Sequence, residues 1–461
     1  MYTAFRAPLR ASEQHAESVL SETMQLPGTA ADVIDMASRA IAGGVVSMNR
    51  KVTPQRIFRR ALGSKLWDID GKEYIDYHAA FAPYILGHNF PEVNDAVKHA
   101  MEDGWSLMGS GTTPWEALLA QMIREAVPSL DLVQISNSGS EAVSLALRLA
   151  QAFTGREEVI VTLGGYNGWQ NEVARVVMPT LQQLGPRVSP GEYPFLPASA
   201  GIPAEVAKRV HVVNFNDLPS MQRLLETGRI SCVLTEPALQ NVGVILPQPG
   251  YLASVLELCE RHGTVCVFDE IKTGFRSGLG GYQGVAGLRP HLSVFGKALA
   301  NGFPISAIGG RADIMQLFDA PDPARRVLIA GTYNAHPLVC AAGIATLSKL
   351  RDPATYTSIR RHSSALYQGL RELFTEAGIA ATLVNNESAY CVYFCEQAPR
   401  DLHDILEHHD FDFDLRLRKA LLERGIYHIP ISCKQGSISY SHSAADVART
   451  LDMTRDAIKS L

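Results

Sequence analysis

Two residues carry most of the chemistry this sequence offers. Asp269 ends the apolar run TVCVFDE, with Glu270 beside it, and Lys297 ends the next apolar run, LSVFGKA. Phe295, Leu299, Phe303 and Pro304 flank the lysine, so its ammonium is expected to have little exposure. A buried carboxylate and a buried lysine on neighbouring strand ends lie where open α/β sheets bind ligands. They suit pyridoxal phosphate. The carboxylate would keep the pyridine nitrogen protonated, a contact worth roughly 4 kcal/mol at an effective dielectric near 20. The lysine would form an imine and then move a proton. A structural Asp–Lys ion pair fits the same two residues, and this reading stays open. Asn137-Ser138-Gly139-Ser140-Glu141 adds a strand end, a Gly turn and a hydroxyl at the start of a helical pattern. Free N–H groups and the positive end of the helix dipole make such a turn an anion site, and it reads equally as a capped helix start.

The elements that must position these residues follow from periodicity. Between Leu132 and Gly310 short β-rich runs (LVQIS, VIVTL, CVLTE, TVCVFDE, LSVFGKA) alternate with helical patterns (EAVSLALRLAQAF, YLASVLELCERH), which predicts a mostly parallel sheet with crossover helices. Asp70-Gly71 in LWDIDGKEYIDYHA predicts a turn between two strands. After Leu350 the pattern becomes a long helix near Tyr356 to Ala377, the strands ATLV and YCVYF, a helix near Leu415 to Glu423 and a final helix. The expected organisation is an N-terminal segment (1–80) contributing to a small domain, a large domain (81–350) and a small α+β domain (351–461). Pro179 to Ala207 has neither period and is expected to be a long surface loop able to close over a site.

Composition narrows the function classes. The 461 residues carry a net charge of −5 with no run of like charges, which gives no footprint for nucleic acid and no polybasic membrane anchor. Thr332, Asn334, His336 and Pro337 interrupt the longest apolar stretch, so no transmembrane helix is expected. The seven cysteines are scattered without CxxC pairs, which argues against a zinc site and for reduced, buried thiols in a cytoplasm. Arg6 and Arg10 faintly suggest a transit peptide, but Glu13, Glu17 and Glu22 follow with no apolar core or cleavage signal.

Six segments, NSGSEA, GGYNGW, EPALQN, FDEIKTGFR, FGKALANGFP and AGTYNAHP, resemble the class III aminotransferases in order and spacing. Within that class the chain is most similar to the glutamate-1-semialdehyde aminomutase-like subgroup, through GGVVSMNR, WDIDGKEYIDYHAAFAPYILGHNFPEV and IYHIPISCKQGSISYSHS. The resemblance implies an aspartate-aminotransferase-like α/β fold (PLP fold type I), a homodimer with shared sites, and pyridoxal 5'-phosphate as cofactor. It assigns the Schiff-base lysine to Lys297 and the pyridinium partner to Asp269. It gives the phosphate to Gly139 and Ser140, the two ring faces to Tyr166 and Ile271, and the phenolic oxygen to Asn241. Thr332 would reach the neighbouring subunit's phosphate, and Arg50 would grip the substrate carboxylate through its planar fork. Glu270 and Arg276 read as structural and perhaps paired, and His88, His336 and His442 receive no catalytic role.

Two positions depart from the pattern. The family's Tyr-His-Gly is Tyr166-Asn167-Gly168, and the subgroup's Glu in the C-terminal loop is Lys434. A cation near the substrate's amino groups should hold a two-amine species poorly, so intermolecular transfer between an amine and an oxo acid is expected, with intramolecular aminomutase chemistry the alternative. A dinucleotide oxidoreductase is disfavoured because Gly278-Leu-Gly-Gly-Tyr-Gln-Gly284 has the wrong spacing for GxGxxG. The intact set Lys297, Asp269 and Arg50 argues against a regulatory protein without turnover.

Overall fold

In the computed structural model, which describes residues 27–461, the apolar runs assemble into one seven-stranded sheet. Across it the strands are Leu132–Ser136, Ser306–Gly310, Leu292–Gly296, Val265–Asp269, Ile230–Thr235, Glu158–Thr162 and Val210–Val213. Six of these point the same way, as the strand–helix alternation predicts. The exception is Ser306–Gly310, antiparallel to both neighbours. Its reason is local: the preceding strand ends at Gly296, and one 3-10 turn, Lys297–Ala300, is too short for a crossover helix. The three central strands are buried along their whole length, as expected of strands covered on both faces.

Helix Gly139–Thr154 lies against those central strands. Its start is fixed by a capping box, in which the Glu141 amide donates to Ser138 and the Ser138 amide donates to the Glu141 carboxylate. Helices Leu218–Leu225 and Tyr251–Arg261 bury their apolar faces in the same core.

The C-terminal part follows its predicted outline. Helices Pro353–Glu376, Phe411–Glu423 and Ala444–Lys459 accompany a small antiparallel sheet ordered Thr382–Asn386, Ala389–Tyr393, Gly436–Ser437. Leu366, Leu370, Phe374, Leu417 and Val447 form its core. Ile75 and Asp76 pair in parallel with Ile426 and Tyr427, so a segment before residue 80 joins this part of the chain.

The described residues divide into two compact units, one of 27–60 with 66–73, the other of 61–65 with 74–461. The first holds helix Ala30–Ala40, capped by Thr29, and a 3-10 turn Met48–Arg50. It also holds the turn at Gly71, where φ is +85° and the Asp68 amide donates to the Lys72 carbonyl at 3.0 Å. The second unit contains both sheets just described.

The segment 179–207 is not the free surface loop its composition suggests. The buried Tyr193 makes an isolated bridge to Val212 of the edge strand, and its hydroxyl donates to the Val188 carbonyl. Arg187 pairs with Asp401 and Asp404, Ser189 donates to Asp217, and the Gly191 amide donates to Ser220. Among the described residues no helix is long and apolar enough to cross a membrane. Arg6, Arg10 and the acidic residues after them lie outside the described residues.

Candidate functional site

The C-terminal ends of the central strands open onto a cavity of about 410 Å³. Its walls are the helix start at Ser138 to Ser140, the loop Tyr166 to Trp169, Asp269 and Ile271, and Lys297 with Phe303 to Ile305.

Lys297 stands where the chain leaves its strand, at φ +43°. A non-glycine residue in the left-handed region is strained, and such strain collects at functional sites. Burial lowers the ammonium's pKa, while Asp269 and Glu236 pull it back up. Asp269 shifts the other way. Burial raises its pKa from the usual range near 4 to about 7, and the neighbouring Glu236 adds to this. Opposing them, the Asn167 side-chain amide donates to Asp269 at 2.8 Å and the Ile271 amide donates at 3.1 Å. Asn167 is held in turn. Its side-chain oxygen accepts from the buried Arg175 at 3.4 Å, and that guanidinium also donates to the Thr162 and Gly165 carbonyls. Burial lowers the Arg175 pKa to about 10.

Glycine is required where these walls converge. A Cβ at Gly139 would stand 3.0 Å from Ile271 Cδ1, and one at Gly168, where φ is +118°, would stand 2.8 Å from Ser140 Oγ. The helix N-terminus can therefore face the cavity with its first amides, and the Ser140 hydroxyl lies beside them. Tyr166 is 40 % exposed and lines the cavity, and its amide donates to Glu236 at 2.9 Å.

Glu236 organises the next loop. Its carboxylate accepts from Tyr166 N, from Gln240 N at 3.0 Å and from the Asn241 side chain at 2.8 Å. Lys434 reaches the same loop, donating to the Asn241 carbonyl at 2.8 Å. Its own loop is built on Asp414, whose carboxylate accepts from Cys433 N at 2.6 Å, Ser432 Oγ at 2.8 Å and Arg418 Nε at 2.7 Å. Despite burial, these donors hold the Asp414 pKa far below the usual carboxylate range.

The second unit thus brings Gly139, Ser140, Tyr166, Asp269, Ile271 and Lys297 around one cavity, and sets Asn241 and Lys434 together on the Glu236 loop. Thr332 does not line this cavity; it is exposed in a turn anchored by the bond from Asn137 Nδ2 to Asn334 Oδ1. Arg50 is exposed at the end of its 3-10 turn in the first unit. Glu270 and Arg276 are buried but not paired. Glu270 accepts from Thr273, Tyr282 and Gln283, and Arg276 donates to Ala82 O and Ser388 Oγ. His88 pairs with Asp76 at 2.7 Å, His336 caps the helix from Pro337, and His442 accepts from Ser439.

Sequence reasoning overlooked Glu236, Arg175 and the link from Asn167 to Asp269. Glu236 stood in a recognised motif, EPALQN, but nothing local marks a carboxylate that gathers donors from Tyr166 and Asn241. The cavity fits pyridoxal phosphate. A helix start meets a phosphate's needs, a buried carboxylate held by two N–H donors a pyridinium's, and the partly exposed Tyr166 and Ile271 offer contacts for an aromatic ring.

A family model described as aminotransferase class-III matches residues 45–383. Glutamate-1-semialdehyde 2,1-aminomutase of Bordetella avium (strain 197N) is 36% identical over 438 residues, covering 94% of this chain and 99% of that protein. An omega-transaminase from Sphaerobacter thermophilus superimposes with a TM-score of 0.86 at 30% identity, covering 96% of this chain and 99% of that one. A transaminase with PLP bound gives 0.82 at 26% identity, covering 95% and 98%.

Proposed function

Since the chain belongs to the class III aminotransferases, enzymes that work with pyridoxal phosphate, we propose that Lys297 is its catalytic lysine and that the cavity around it carries out amino transfer between separate substrates. The observation that carries this reading is the convergence of Lys297, Asp269 and the start of helix Gly139–Thr154 on one cavity. When bound, the cofactor supplies an aldehyde carbon that takes the amino group and a ring that withdraws electrons from the reacting carbon. Lys297 would hold it covalently through Nζ and, once released, would move the proton at the substrate carbon. Its lowered pKa leaves a larger fraction of the amine neutral and able to accept that proton. Asp269 would stand against the pyridinium, with Asn167 and Ile271 N fixing its carboxylate. Gly139 and Ser140 would bind the phosphate, Tyr166 and Ile271 would flank the ring, and Asn241 would meet the phenolic oxygen.

Arg50 is proposed for the substrate carboxylate on its chemistry, a planar fork matched to two oxygens. Thr332, exposed on a fixed turn, would reach the phosphate held by a second copy, which makes the working enzyme a homodimer. Residues 81–350 would form the cofactor-binding domain and 351–461 the small domain. Seven buried, unbridged cysteines support a cytoplasmic location.

Borohydride reduction of the holoenzyme followed by peptide mass spectrometry should find the cofactor on Lys297. A label elsewhere, or none, overturns the assignment. A single amino donor should also release one equivalent of oxo acid with no acceptor present.

Aminomutase chemistry is the second reading, favoured by the name of the Bordetella avium relative. Against it stands Lys434, an ammonium where a substrate with two amino groups would be repelled. Rapid turnover of glutamate-1-semialdehyde, with failure of every ordinary donor and acceptor pair, would decide for the mutase.

A further inference from the structure

Lys272 was passed over by sequence reasoning because it sits inside FDEIKTGFR, one residue past the cavity-lining Ile271. It is only 9% exposed. Its Nζ donates to the Gln240 carbonyl at 2.6 Å and to Gln435 Oε1 at 3.3 Å. Lys434 Nζ donates to the carbonyl of the very next residue, Asn241. Two ammonium groups from different parts of the chain therefore grip consecutive carbonyls of the Glu236 loop. Among the described residues neither makes an ion pair within 4.0 Å.

Uncompensated cations in a protein interior are costly, and neutral carbonyl dipoles offset only part of that cost. The nearby carboxylate, Glu236, is already shared. It accepts three N–H bonds and acts electrostatically on Lys272, Lys297 and Lys434 together. The side chain of Gln240 is fully buried with neither amide atom partnered among the described residues, so the loop also holds unsatisfied polar atoms. Each ammonium has three donors, and the carbonyl and amide oxygens named leave donors over on both. The surroundings call for an anion.

We propose that Lys272 and Lys434 form a specificity site for a second anionic group on the substrate, so that the enzyme selects amines and oxo acids carrying two acidic groups over those with one. This deepens the transaminase reading and rests on it, with Lys297 as the reacting amine. The Lys434 arm is held, because Asp414 fixes the Cys433 amide and the Ser432 hydroxyl on its N-terminal side and Arg418 donates to the Lys434 carbonyl at 2.9 Å. Lys272 is held by the Gln240 carbonyl and by Gln435 from the same C-terminal loop. Both lysines have their pKa lowered, first by burial, and an arriving carboxylate would reverse that and draw a proton into the site.

The test uses the holoenzyme and unreactive ligands, so that it does not depend on turnover. Calorimetric titration compares glutarate with butyrate, a dicarboxylate and a monocarboxylate lacking any amine. The wild type should bind glutarate at least about tenfold more tightly, with proton uptake that appears as a dependence of the heat on the buffer. Lys272→Met and Lys434→Gln should each abolish that preference while leaving butyrate affinity within about twofold, and Lys272→Arg should restore it. Equal affinity for the two ligands in the wild type, or a preference that survives both substitutions, overturns the proposal. Should Lys272→Met fail to fold, the less deeply buried Lys434 still decides the matter. Failure of the borohydride label at Lys297 would instead remove the transaminase reading, a separate outcome on a separate measurement.

Discussion

At Asp269 the protein accepts an unfavourable charge, which the proposed pyridinium contact would use. A carboxylate whose folded pKa is raised from near 4 to about 7 binds its proton more tightly folded than unfolded. Its effect on stability is therefore nil below about pH 4, grows more unfavourable as pH rises, and is complete above about pH 7, on the order of 4 kcal/mol for a shift of that size. Asp269→Asn should then stabilise the cofactor-free protein, with a melting gap over wild type that opens between pH 4 and 7. A gap independent of pH would contradict the raised pKa. The holoenzyme should show the opposite ranking, since a pyridinium restores the worth of the charge. Asn167 belongs to the same balance. Replacing it with Leu removes a donor from Asp269 and an acceptor from Arg175. Cofactor affinity should fall about tenfold or more, read by release of the chromophore on dilution. The positions of Asp269 and Lys297 were legible because both end apolar runs. Asn167 and Arg175 were not, since their partnership with Asp269 spans 102 residues of sequence and exists only once three strands are side by side.

Elements whose signals are local were the readable ones. Gly139–Thr154 shows its capping box and amphipathic face in sequence, and the helices after Pro353 and Phe411 fall within a few residues of their predicted limits. The reversed strand Ser306–Gly310 was harder, because its apolar content is the same in either direction and only the length of the preceding turn decides. The segment 179–207 misled for a related reason: its order comes from Val212, Ser220, Asp217 and Asp401, partners supplied by other elements. The loop carrying Lys434 is likewise made by helix Phe411–Glu423 through Asp414 and Arg418. Asp414→Asn should cost about 3–5 kcal/mol at neutral pH, the range for removing one partner of a buried charged pair. Because the Asp414 pKa is depressed, that stabilisation is present above about pH 4 and lost as pH falls further. Melting curves of variant and wild type should accordingly converge in acid. A loss equal at pH 7 and pH 3 would mean the carboxylate's charge is not what holds the loop.

For the molecule as a whole, Leu328, Tyr333 and Trp169 are 69%, 63% and 76% exposed, around the turn that carries Thr332 and the rim of the cavity. Large apolar groups in such company are what a second copy would cover. Leu328→Glu should shift the holoenzyme toward monomer in sedimentation velocity and loosen cofactor binding in step. A dimer unchanged by the substitution would place the interface elsewhere. The seven cysteines have a practical bearing that reaches beyond chemistry at the site. All are buried and unbridged, and they are distributed from Cys232 in the large sheet to Cys433 beside Lys434. In an intact molecule none is offered to a thiol reagent, so each modification event must wait for the structure around it to open. Labelled over time and read by peptide mass, the set becomes an internal clock with seven hands, reporting which part of the enzyme breathes first and whether cofactor and substrate slow them together or one at a time.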